Sequence, residues 1–139
     1  MICRTTDDRT HLASWDATAR LYKVYGPTID GDSGVVALAD GVDGGRVQRF
    51  VNSVKEYLPY SRLVMLSNTL RCTGHALSYT VHFEPFTLGG REFNKLLGRL
   101  WLTSAVVYAS TWTRFLACDA TDLYFQRNPF LFMPMPGLY

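Results

Sequence analysis

The feature that most constrains this chain is a short stretch in which the hydrophobic period changes twice. Residues 35–39 (VVALA) are uniformly apolar and bounded by Gly34 and by Asp40-Gly41, the pattern of a strand covered on both faces. The period then becomes helical. Val47, Phe50, Val51, Val54, Tyr57 and Leu58 stand at offsets 0, 3, 4, 7, 10 and 11, sharing one face, with Arg46, Arg49, Lys55 and Glu56 on the other. Asp43-Gly44-Gly45 opens this helix and Pro59 ends it. Residues 63–66 (LVML) form a second uniformly apolar strand. Strand, helix and strand within about thirty residues make a βαβ unit, whose parallel strands need a crossover on one face of a sheet. The expected class is α/β, with a mostly parallel sheet and flanking helices.

Around this unit the chain divides into three parts. Residues 1–33 are rich in Asp, Thr, Gly and Arg, and read as a poorly organised arm ending in the turn-rich run 26–34. Residues 34–130 are the α/β core, and residues 131–139 an apolar tail. Within the core, Tyr79, Val81 and Phe83 alternate with Ser78, Thr80, His82 and Glu84, which predicts a third strand wet on one face and near a sheet edge. A helix is expected after Gly89-Gly90, with Phe93, Leu96, Leu97, Leu100 and Trp101 as its buried stripe, a break near Thr103 and a short turn through Tyr108. Residues 114–118 (RFLAC) read as a fourth, buried strand. No internal repeat is present.

Composition narrows the class further. The 139 residues allow one domain, and 47% apolar content excludes intrinsic disorder as the main state. A net charge of +2, with Lys and Arg scattered singly among acids, argues against nucleic acid as a partner. Cys3, Cys72 and Cys118 show no CxxC spacing, so neither a zinc ribbon nor a thioredoxin-type pair is encoded; free thiols or a single Cys3–Cys72 bridge remain. The first ten residues have no apolar segment of the signal-peptide kind, and the longest apolar stretch, 100–109, is too short to span a bilayer. As written, the chain reads as soluble.

In parallel sheets, ligands sit beyond the carboxyl ends of strands where the strand order reverses. If the first strand lies between the second and the fourth, that crevice is lined by residues 40–45 and 119–122, both acidic. The strongest local signal is therefore residues 118–122 (CDATD). Asp119 and Asp122 serve one site only if the strand ends near Asp119 and turns, because residues three apart on a continuing strand face opposite ways. Two such oxygens suit Mg²⁺ or Mn²⁺, which take one or two carboxylates plus phosphate oxygens and water. The plainer alternative is that Asp119 caps a turn and Asp122 is solvated.

Residues 114–130 (RFLACDATDLYFQRNPF) resemble the segment around the metal-binding acids of GT-A-fold glycosyltransferases, closest to the group whose acids are followed by an FQ…PF run. The preceding helix, residues 94–101 (NKLLGRLW), is similar to one that carries an arginine facing the sugar nucleotide in that family. The resemblance implies a Rossmann-like, GT-A-type sheet. It further implies that Asp119 and Asp122 hold Mn²⁺ or Mg²⁺ on the diphosphate of a nucleotide-sugar donor, with Arg99 as a second positive contact and Asp40 and Gly41 touching the nucleoside. Arg99 is otherwise an ordinary exposed helix charge, and Gly41 a turn residue. Two departures stand out: both Ala120 and Thr121 separate the acids where one residue is usual, and Thr121 occupies a position where a basic residue is common. Family members also continue past this motif into an acceptor-binding half. The chain is thus expected to be the donor-binding half of a larger enzyme, a truncated gene product or a degenerate copy, incomplete for catalysis alone, with the glycan or protein acceptor and the catalytic groups undefined. A secretory-pathway location would follow if a longer natural chain carries an anchor.

Two other functions compete: a non-catalytic interaction module that docks on a protein partner or on itself through residues 131–139, and a metal-dependent phosphohydrolase. Weaker signals add little. Residues 31–34 (GDSG) imitate a serine-protease loop, but Ser33 precedes nearly the whole domain. Residues 41–45 (GVDGG) lack GxGxxG and no lysine follows. His75 and His82 lack metal-ligand spacing, and Trp101 and Tyr108 read as core.

Overall fold

The computed structural model describes residues 8–39, 44–69, 75, 77–84, 95–120 and 124–132. They form a six-stranded sheet with one helix on each face. In chain order the elements are β1 (Asp8–Asp16), β2 (Leu21–Tyr25), β3 (Ser33–Leu38), α1 (Gly44–Tyr57), β4 (Arg62–Leu66), β5 (Ser78–Phe83), α2 (Lys95–Tyr108) and β6 (Arg114–Asp119), followed by a 3₁₀ turn (Pro129–Phe132). The order across the sheet is β2-β1-β5-β4-β3-β6, with every neighbouring pair parallel except β1 and β2. The α/β class and the mostly parallel sheet with flanking helices are therefore as expected.

The βαβ unit is where the pattern placed it. Val47, Phe50, Val51, Val54 and Leu58 of α1 pack on Val35, Ala37 and Ala39 after and within β3 and on Leu63 and Met65 of β4. Successive strand residues face opposite sides, so Val36, Val64 and Leu66 join the other core, with Tyr79, Val81 and Phe83 of β5 and Leu102 and Val106 of α2. Both faces of β3 and β4 are thus dry, which is why their sequences are uniformly apolar.

The amino-terminal arm is a correction. Residues expected to be unorganised supply β1, which pairs in parallel with β5, and β2, which closes that edge as a hairpin. The hairpin turn is fixed by Asp16, whose Oδ1 accepts hydrogen bonds from the backbone N–H groups of Thr18 and Ala19. The residues after β2 are tied in as well: Ile29 is fully buried, and its N–H and C=O bond Ala109 and Thr111. Alternation in β1 is masked in the sequence because its inward side is His11 and Ala13, buried, with Trp15 partly buried, not a run of aliphatics.

Three further expectations change with it. With β1 on its flank, β5 is interior, and its polar residues Ser78 and Thr80 are buried. The position at the far edge falls instead to β6, so the strand expected to be buried is largely exposed. α2 runs unbroken through Thr103, which is itself buried, and its buried side is Leu102 and Val106 with Trp101 and Ala105 partly covered. Leu100 is exposed, and Tyr108 is solvent-facing rather than core. Apolar residues surround this helix, so only the position of the sheet decides which of them are covered. After β6 the chain returns over α1: Phe125 N–H donates to Ser53 Oγ, Phe130 enters the α1-side core, and Arg49 lies over the Tyr124 ring. No helix among the described residues is long and apolar enough to cross a membrane. Residues 133–139 of the apolar tail lie outside the described residues.

Candidate functional site

β3, β4 and β5 are laid down successively in one direction, and the chain then crosses through α2 on the opposite face to place β6 on the free side of β3. The strand order therefore reverses between β3 and β6, and ligand crevices in such sheets form beyond the carboxyl ends at that point. Leu38 and Asp119 are register partners there, the last residues of their strands.

β6 ends at Asp119, where the metal-pair reading needed a break, and the next residue, Ala120, is buried in the α1-side core. Cys118 packs toward α1, so Asp119 stands on the α2 side. From α2, Arg99 reaches across and donates from Nη1 to Asp119 Oδ1 at 2.6 Å. The Asp119 side chain is 63% exposed and that of Arg99 24%. Two residues singled out separately in the sequence, twenty positions apart, are thus in contact at the reversal point. Asp122, Asp40 and Gly41 lie outside the described residues.

The neighbouring thiol is chemically quiet. Burial, and then the negative charge of Asp119, push Cys118 up to about 12, against a smaller opposing effect of Arg99. It stays a thiol near neutral pH and is not a nucleophile there. Next to the crevice, sequence reasoning missed Ser67 and Asn68. Ser67 Oγ donates to the Ala39 carbonyl, and Asn68 both donates to the Phe83 carbonyl and accepts from its N–H. They continue the sheet by side chains past the end of β4. Their signal was present: two polar residues directly after a buried strand, where backbone groups would otherwise lose partners.

Among the described residues, no group of three or more His, Cys, Asp or Glu gathers at a point where it could hold a metal. Asp119 is a hard oxygen donor at an open strand end, and a cation that takes one or two carboxylates and completes its shell with phosphate and water oxygens fits that setting. Comparison with family models, with curated proteins and with solved structures returns no match to this chain.

Proposed function

We propose that the crevice at the ends of β3 and β6 binds a nucleotide-diphosphate sugar with Mn²⁺ or Mg²⁺, and that the domain is of the GT-A glycosyltransferase type. The observation that carries this reading is the Arg99–Asp119 contact at the point of strand reversal. The residues 114–130, which resemble that family, supply the strand that delivers Asp119. A divalent cation there would neutralise charge that develops on the departing diphosphate. Asp119 holds the cation, with Asp122 as its partner. Arg99 holds Asp119 in the absence of donor. When the diphosphate enters, its oxygens offer the guanidinium a planar, bidentate acceptor, and Arg99 turns to them. Asp40 and Gly41, following β3, contact the nucleoside. Transfer of the sugar to an acceptor requires groups beyond these, so the reading is of a donor-binding domain.

Calorimetric titration with UDP- and GDP-sugars, with and without Mn²⁺, tests it. Metal-dependent heat that Asp119→Ala abolishes is expected. Heat that is independent of metal, or unchanged by Asp119→Ala, overturns it.

A further inference from the structure

The carboxyl-terminal half of α2 does not close onto the edge hairpin. Between β2 and this half-helix lies a half-open groove of about 630 Å³, a size typical of small-molecule sites. Its walls include Tyr22, Val24, Trp101, Ala105 and Tyr108, and no acidic residue lines it. The aromatic wall is already ordered. Trp101 stacks in parallel on Trp15 with ring centres 5.2 Å apart, and Trp15 meets Tyr22 edge-on at 5.2 Å. Tyr108, 93% exposed, stands at the rim without being part of any core.

Two cations border the groove, and they differ. Lys23 is engaged by Asp16 at 3.3 Å. Arg20, at the hairpin turn, makes no hydrogen bond or ion pair among the described residues, so none of them compensates its charge. It also holds a left-handed backbone conformation, φ +54°, which glycine or asparagine adopts with far less strain. An arginine kept at a strained position, with a free guanidinium beside an aromatic groove, is poorly explained by the turn alone.

We propose that this groove binds a small aromatic carboxylate, the ring lying against Trp101 and the carboxylate paired with Arg20. Aromatic rings offer flat apolar surface to the preordered wall, and the guanidinium fork matches a carboxylate in two parallel hydrogen bonds. The groove borders β2, at the sheet edge opposite β6 and Asp119, and does not depend on the reading proposed for that crevice.

Calorimetry with 3-phenylpropionate and with the neutral 3-phenyl-1-propanol tests the proposal on the whole chain. The acid is expected to bind roughly tenfold or more tighter than the alcohol. Arg20→Gly should remove that preference while leaving the chain at least as resistant to urea, because glycine relieves the strained φ; loss of binding is then not loss of fold. Arg20→Lys should keep part of the preference, and Ala105→Trp, which fills the groove, should abolish binding of both compounds with an unchanged circular dichroism spectrum. Equal affinity for acid and alcohol, an Arg20→Gly chain that still prefers the acid, or binding that survives Ala105→Trp overturns the proposal. So does a dimer in sedimentation that Ala105→Trp disrupts, since a second copy then occupies the groove.

Discussion

The two ends of the sheet each carry an aspartate holding an arginine, and the two pairs are nearly alike in isolation. At the amino ends of the strands, Asp30 and Arg62 meet at 2.9 Å with side chains 56% and 19% exposed. At the carboxyl ends, Asp119 and Arg99 meet at 2.6 Å with a similar division of exposure. Their surroundings differ. Asp30 Oδ1 also accepts from the hydroxyl of buried Tyr79, the Asp30 carbonyl accepts from the Trp112 indole, and neighbouring Gly31 and Asp32 accept from Thr111 and Thr113. The arrangement joins the segment after β2 to β4, β5 and the α2–β6 connection. Asp119 has Arg99 alone among the described residues. An exposed ion pair contributes little by itself, so what the first pair does is set by the hydrogen bonds around it. The second, lacking them, leaves a carboxylate and a guanidinium free to exchange partners.

That contrast is broken most directly by removing each aspartate in turn and unfolding in urea. Asp30→Ala should cost about 2 kcal/mol, because the Tyr79 hydroxyl is left in the core without its charged acceptor, solvent screening of the half-exposed carboxylate included. Gly31→Ala should follow at about 1.5 kcal/mol: its φ is +104° and an added Cβ would stand 2.9 Å from Arg62 Cγ. Tyr79→Phe, which removes only the hydroxyl, should cost about 1 kcal/mol. Asp119→Ala should stay within about 0.5 kcal/mol while abolishing metal-dependent heat with nucleotide sugars. A loss of stability equal to that of Asp30→Ala would erase the distinction between the two ends.

The smallest effect at neutral pH concerns Cys118, whose raised value ties the folded state to its proton. Stability from this group is whole below the free thiol's pKa of about 8.5 and is lost as the pH climbs toward the folded value of about 12. Alkylation by iodoacetamide at pH 8, followed by peptide mass mapping, should label Cys118 at least about tenfold more slowly in the folded chain than in urea. Equal rates would show a thiol that is not held in the sheet.

How much was legible differs from segment to segment for physical reasons. α1 was readable because one side of it is apolar and the other charged, so its pattern states which side is buried. α2 was not, because Leu100, Trp101, Leu102 and Val106 surround the axis and the sheet alone selects among them. β5 was misread because Ser78 and Thr80 look solvent-facing, yet β1 makes that strand interior. The candidate site was partly legible. Asp119 and Arg99 were both singled out, whereas their contact depends on α2 crossing the sheet face opposite α1, which no local pattern encodes.

By itself, then, the sequence determined the elements whose burial is uniform or cleanly one-sided: β3, α1 and β4. Local spacing is enough there, since an apolar run or stripe has only one way to leave water. Tertiary structure alone decided which strands lie at the edges, that residues 8–25 belong to the sheet, and that two arginine–aspartate pairs of similar geometry have different neighbours. Those outcomes depend on contacts between residues far apart in the chain, and each side chain's exposure is set by the neighbour that arrives, not by its own chemistry.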